Sequence, residues 1–429
     1  MPTKQKLLSA VIVFLVAVTA ALATLTSSLS SILPELGFAG SGGSPAKAGT
    51  GGAGAPAKAG SGGMAGSPVV LPSANGGAGS GGMAGSPVVL PSANGLASRL
   101  GINTWYLAPS WGFGSPYVSG VNFSTTTNPW NPGFLADLAP FSTIRFLEWV
   151  GTNGTTVSEW SQRRLPNDPG NAEIYVDGTS GSQGPGLAYE WVFDLCARTG
   201  KACWVTLPVR ASDDYFAQFA KLAHERLKFV TLYAEFGNEL DGGWFPGTAY
   251  TQAQGAALGL PGGDKYRVGA SFTTLRTLAL GRALKVEYGA EYAQKVRLVR
   301  CGVASSDLVR SSLSNIYKNP TYNPDNVQIQ VLCMSGYFGS GRDGASYTLA
   351  QAKSDIDGLL TGEDSVASYK AIQSQFGIPL LGMYEGGQHV LTNSAQFVAK
   401  TDAADAYKYW LDKMAPNFDV FLHYTDSST

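Results

Sequence analysis

The sequence predicts an α/β protein built on a closed (β/α)8 barrel, and three observations carry that prediction. From Leu100 onward, eight short apolar runs alternate with stretches of helical period, the pattern of repeated strand–helix units feeding a parallel sheet. Before Leu100 the chain is rich in Gly, Ala, Ser and Pro, a composition that cannot build a packed core. The remaining stretch, about 330 residues, suits one barrel with extended loops.

Residues 1–30 read as a signal peptide or membrane anchor. Lys4 and Lys6 precede an apolar run from Leu7 to Leu25, the pattern of an export signal. Ala21-Leu22-Ala23 supplies a small-x-small cleavage site, yet the run approaches the roughly 20 residues that span a bilayer. In either case the rest of the chain is expected outside the cell, secreted or tethered to its membrane. Residues 31–99 read as a low-complexity linker. Within it AGSGGMAGSPVVLPSANG occurs at 59–76 and again, unchanged, at 78–95, as expected of a flexible tether.

The barrel is assigned to 100–429. Its strands are expected at 101–106, 143–149, 202–208, 229–236, 296–303, 327–336, 379–384 and 419–424. Helices are expected at 213–228, begun by Ser212 or Asp213, and at 271–288 and 402–414. Long loops at 151–186 and 241–264 would wall a cleft, since loops of that length tend to be functional or disordered. A complete barrel would add a helix after its eighth strand, so the reading includes truncation at the C-terminus.

Composition narrows the function. The 30 basic and 31 acidic residues give a net charge of −1, without the clustered Lys and Arg that nucleic acid requires. A near-neutral glycan, polysaccharide or oligosaccharide, is compatible. No cofactor or metal is called for: no ligand cluster with zinc spacing occurs, no G-x-S-x-G elbow, and no phosphate loop after a strand. Of the four cysteines, Cys196 and Cys203 flank a helix-to-strand turn and could pair in an oxidising compartment. Cys301 and Cys333 read as buried thiols.

In a parallel barrel, reactive groups gather at the C-terminal ends of strands. The fourth run, VTLYAEFGNELDGGWF, ends at Asn238-Glu239, and the seventh, IPLLGMYEGGQH, at Glu385. Two carboxyls facing one mouth are the equipment for cleaving a glycosidic bond without metal: one donates a proton to the leaving oxygen, the other attacks the anomeric carbon. Their differing pKa values must come from environment.

Over 100–429 this arrangement resembles the clan A glycoside hydrolases, TIM-barrel retaining glycosidases with Asn-Glu closing strand four and a Glu closing strand seven. The resemblance implies Glu239 as acid/base, Glu385 as nucleophile, and Asn238 against the sugar 2-hydroxyl. It also implies Arg145, in STIRFLEW, near the nucleophile, and Tyr337, in CMSGYF, hydrogen-bonded to it. Two positions depart from the clan. Pro208-Val209-Arg210 stands where many members have a His after strand three, and Tyr424 stands where a Trp often ends strand eight.

Glu235 reads as a structural acid paired with Arg145, because a buried carboxylate needs a cation. Arg145 itself reads equally well as structural or functional. Trp105, Trp111, Trp149 and Trp244 are candidate sugar platforms, together with Trp130 and Trp160 on the same rim; any one of them can instead be packing. Trp191 and Trp204 read as core. His389 is a candidate substrate contact, and His224 reads as surface. The expectation is a retaining hydrolase of O-glycosidic bonds acting on an extracellular polysaccharide. The rivals are a non-catalytic carbohydrate-binding barrel, a barrel lyase or aldolase, and a surface protein with a repetitive stalk.

Overall fold

The computed structural model describes residues 98–104, 121–147, 149–172, 185–303 and 305–424. The expected signal or anchor, the linker, Trp105 and Trp111 lie outside these residues. No helix among the described residues is long and apolar enough to cross a membrane.

Eight parallel strands close into a barrel in sequence order. They are β1 (Leu100–Thr104), β2 (Thr143–Phe146), β3 (Ala202–Leu207), β4 (Leu232–Phe236), β5 (Val296–Gly302), β6 (Val331–Phe338), β7 (Leu380–Gln388) and β8 (Val420–His423). β8 pairs back onto β1, Leu422 beside Gly101. The helices outside include α1 (Pro132–Asp137), α2 (Tyr189–Thr199), α3 (Asp213–Arg226), α4 (Pro246–Ala257) and α5 (Lys265–Tyr288), then α6 (Ser306–Ser312), α7 (Leu349–Thr361), α8 (Val366–Phe376) and α9 (Thr401–Met414).

Strand alternation splits the core in two, because successive side chains point to opposite faces. Outward residues such as Ile144, Phe146, Leu298, Leu332 and Phe421 pack against the helices. Inward residues Trp204, Val299, Val331, Cys333, Tyr384, Val420 and Leu422 fill the barrel. Ser212 caps α3, its side chain accepting from the Tyr215 N–H, and Asp264 caps α5 by accepting from the Tyr266 and Arg267 N–H groups.

Several boundaries move. β4 begins at Leu232, and Phe229 is 98% exposed before it. β6 starts at Val331, β7 runs through Glu385 to Gln388, and α5 begins at Lys265. The stretch expected as a loop over 241–264 contains α4, a 12-residue helix with Pro246 in its first turn, where a missing N–H costs nothing. All four cysteines are thiols. Cys196 and Cys203 are fully buried, and Cys301 lies opposite Cys333 across β5 and β6.

Two tryptophans expected on the active rim belong to the core. Trp149 is 0% exposed and stacks on Trp130 at 5.9 Å, with Phe146 edge-on at 5.0 Å. It is therefore no sugar platform. Trp130 is buried too, its indole N–H donating to Asp194 Oδ2. Trp160 is half-buried, stacked on Tyr189. Nearness to a strand end does not say which way a side chain points.

Candidate active site

Alternation along β4 sends Tyr233 and Glu235 inward. The chain then leaves the strand sharply, through Gly237 at φ 66 and Glu239 at φ 48. A left-handed glutamate is uncommon and costs of order 1–3 kcal/mol, so it persists only where its surroundings impose it. Here two contacts do so. Leu240 closes onto Gly237, where a Cβ would lie 2.4 Å from Leu240 Cδ1. Asp241 forms a buried ion pair with Arg300 of β5 at 3.0 Å, and Arg300 Nε is held in turn by Thr274 of α5 at 3.1 Å. The result brings Glu239 over the barrel mouth, where Oε2 accepts from the Trp244 indole at 2.8 Å and Oε1 from the Tyr384 phenol at 3.0 Å.

Glu385 arrives by another device. Met334 pairs with Met383, but Ser335 pairs with Glu385, so Tyr384 is an extra residue, a β-bulge. Strict alternation from the outward Met383 would point Tyr384 inward and Glu385 outward, into the helices. The bulge resets the phase, and both side chains face the mouth. Glu385 is buried, accepting from Arg145 Nη1 at 2.7 Å and from the Tyr337 phenol at 2.5 Å.

Arg145 is the hub. Its Nε and Nη2 donate to Glu235 at 3.0 and 3.2 Å, and Nη2 also donates to Asn238 Oδ1 at 2.9 Å. Nη1 serves Asn103 Oδ1 at 2.9 Å as well as Glu385. All five guanidinium N–H groups are thus used. Burial works against its charge, but Glu235 and Glu385 outweigh that and raise its pKa above the ordinary value. Glu235 also accepts from Trp204 Nε1 at 2.8 Å. Glu235 thus pairs with Arg145 as expected of a buried acid, and the same guanidinium holds Glu385, so Arg145 serves both the core and the mouth.

Three carboxyl groups, Glu235, Glu239 and Glu385, therefore surround one guanidinium, an imbalance that favours keeping a proton. Burial raises the Glu239 pKa against the pull of the Trp244 and Tyr384 donors. Burial also lifts Glu385 to about 7, with Arg145 opposing the rise and Glu239 adding to it. Two interacting acids of this kind titrate as a pair. The cation touches Glu385 and not Glu239, so the two carboxyls differ in what stabilises their charged forms.

The other sequence candidates sit around this centre. Asn238 is buried, its Nδ2 donating to Asn153 Oδ1 at 3.2 Å. Trp244 is exposed at the rim. His389 lies 5.0 Å from the Tyr337 ring, its Nδ1 bonded to Ser340 Oγ at 3.1 Å, and burial lowers its pKa. Tyr424 packs edge-on against Tyr337 at 5.9 Å. Two contributors went unread in the sequence, Asn103 and Tyr384. Asn103 ties the Tyr384 carbonyl to Arg145, and its one clue was an amide inside an otherwise apolar strand. Among the described residues no group of three or more His, Cys, Asp or Glu is placed to hold a metal ion.

No family model matches the sequence, and no curated protein matches it. Among solved structures the chain is similar to an arabinofuranosidase, at TM-score 0.47 and 13% identity over 77% of this chain and 64% of that one. It is also similar to a family 51 α-L-arabinofuranosidase from Bifidobacterium longum, at 0.45 and 12% over 68% and 55%. A family 1 β-glucosidase from Thermotoga maritima follows, at 0.38 and 13% over 78% and 89%. The chain thus spans under two thirds of the first two. These solved structures are clan A glycoside hydrolases, the group the sequence resembles. What the chain shares with them is the closed eight-stranded barrel.

Proposed function

We propose that the protein is a retaining glycoside hydrolase in which Glu239 is the acid/base and Glu385 the nucleophile. The observation that carries this reading is the unequal bonding of two carboxyls in one network: Glu385 holds a guanidinium and a phenol, Glu239 only neutral donors. An attacking carboxylate has to be charged, and opposite charge together with hydrogen bonds favours that form. A general acid has to carry a proton near neutrality, and burial without a contacting cation favours that.

The chemistry balances in two steps. Glu385 attacks the anomeric carbon as the bond to the leaving oxygen breaks, and Glu239 gives that oxygen its proton. Water then loses a proton to Glu239 and attacks the same carbon, which releases Glu385 as carboxylate. Two inversions restore the starting configuration. Tyr337 and Arg145 hold Glu385 in place, and the contact to the 2-hydroxyl is assigned to Asn238, the role that the clan A resemblance implies. The substrate class we propose is a glycan outside the cell, because the export-type N-terminus and the tether-like linker suit a secreted or anchored enzyme.

Product stereochemistry tests the mechanism. Following a turned-over glycoside by proton NMR, the first anomer to appear has the configuration of the substrate; the opposite anomer would exclude double displacement. Glycan binding without turnover would favour a carbohydrate-binding barrel.

A further inference from the structure

Trp244 is 57% exposed, although indole area normally drives burial. Its position is fixed all the same. The ring lies over Gly242, so close that a Cβ there would sit 2.4 Å from Cε2 and Cζ2. Gly243 adopts φ 90, and its N–H donates to Thr248 Oγ1 at 3.3 Å, tying the loop to α4. The indole N–H donates to Glu239 Oε2 at 2.8 Å. The ring rests against Gly242, its N–H edge is engaged by the acid, and more than half of the residue's surface is open to solvent.

An acid that protonates a departing oxygen must lie beside that oxygen, while the attacking carboxylate lies against the sugar being transferred. Glu385, Tyr337 and Arg145 mark the transferred sugar. A flat apolar surface attached to Glu239 marks the other side of the bond. We propose that Trp244 is the leaving-group subsite: its open face stacks a sugar ring bearing the departing oxygen, and its N–H aims Glu239 at that oxygen. The ligand class is a glycosyl leaving group with an apolar C–H face, as in an oligosaccharide, and not a small alcohol. This assignment rests on the glycosidase reading above.

Glu239 faces Tyr384 and Glu385 of β7, Arg145 of β2 and Glu235 of β4. Trp244 is its donor from the loop side. Losing the ring and losing the N–H therefore have separable effects.

The test uses the full chain and a panel of pentose and hexose methyl glycosides with the corresponding disaccharides. Both leaving groups are alkoxides that need an acid. Trp244→Ala is expected to raise KM for the disaccharide about tenfold, the scale of a truncated aromatic anchor. It leaves KM for the methyl glycoside within about twofold. Trp244→Phe keeps the ring and restores the disaccharide KM. Because it removes a donor to the carboxylate, it moves the alkaline limb of the kcat/KM profile to higher pH. Equal rises in KM on both substrates, or an unchanged disaccharide KM in Trp244→Ala, would overturn the subsite, whereas a fall in kcat shared by both follows from losing the N–H that aims Glu239. Glu385→Gln is run alongside. If that variant keeps its turnover, or the unaltered protein turns over nothing, the glycosidase reading itself falls and the subsite with it. If Glu385→Gln is inactive while Trp244→Ala does not discriminate, only the subsite falls.

Discussion

The ends of β4 and β7 each deliver a glutamate to the same mouth, by opposite means. Glu239 stands two residues beyond a glycine turn, in a left-handed conformation, partly exposed, and touched by neutral donors. Glu385 sits within its strand, rotated inward by a bulge, buried, and touched by a cation. One carboxyl is mounted on a loop whose geometry is imposed by packing and an ion pair, the other on the sheet. Identical side chains acquire different chemistry from their mountings.

The largest effect should come from removing the carboxyls one at a time. Glu385→Gln is expected to cut kcat by more than about 10^4-fold whatever the leaving group, since no other group can take over attack. Glu239→Gln should cost about 10^2- to 10^4-fold with poor leaving groups and much less in glycosylation with an activated aryl group, which needs no proton. Pre-steady-state rates on matched glycosides separate the two. Equal, leaving-group-independent losses would erase the distinction between the two ends.

Next comes the hub. Arg145→Met leaves Glu235 and Glu385 buried without their cation, and a broken buried pair costs roughly 3–5 kcal/mol. Urea unfolding should show that loss, larger at pH 8 than at pH 5 because the uncompensated charge on Glu385 forms as pH rises through the value of about 7. No pH dependence of the loss would mean that Arg145 does not hold these carboxyls charged.

The pH profile follows. If the pair works with one proton, kcat/KM falls on both sides of a maximum: the acid limb reflects protonation of Glu385, which burial lifts to about 7, and the alkaline limb reflects loss of the proton from Glu239. The sign for stability is the reverse of that for an ordinary salt-bridged acid. A carboxyl raised in the fold contributes stability below its unfolded pKa and loses it as pH rises through the folded value. Melting temperature should therefore decline between pH 4.5 and 7 in the unaltered protein, and decline less in Glu385→Gln.

The smallest effect is expected at the anchor of the β4 loop. Asp241→Asn weakens the contact to Arg300 while keeping its shape, so kcat should fall about tenfold or less with KM little changed. The loss should be steeper for poor leaving groups, because Glu239 is the group being displaced. An even loss across leaving groups would make the Asp241–Arg300 pair simply structural.

Much of this architecture was legible before any coordinates. Eight apolar runs marked eight strands because each is bounded by turn residues and separated by helical periods, and the acids at the fourth and seventh stood out because carboxyls are rare there. The failures have separate causes, and the largest is that period alone cannot see where a strand slips phase. The run read as a strand over 379–384 does not reveal the Tyr384 bulge that turns Glu385 inward, nor the phenol's reach to Glu239. Trp149 looked like a platform because of its place in the chain, yet its side chain points into the cluster around Trp130. Asn103 sits in an apolar run, where a buried amide must find partners, and it finds them in the Tyr384 carbonyl and Arg145.

The most direct measurement is covalent trapping. A 2-fluoro glycoside with a good leaving group, chosen from the series the protein turns over, slows release of the glycosyl enzyme, and peptide mapping by mass spectrometry then locates the attached sugar. The account predicts the label on Glu385, in the peptide containing Tyr384. A label on Glu239, on Glu235 or on any other side chain would contradict it.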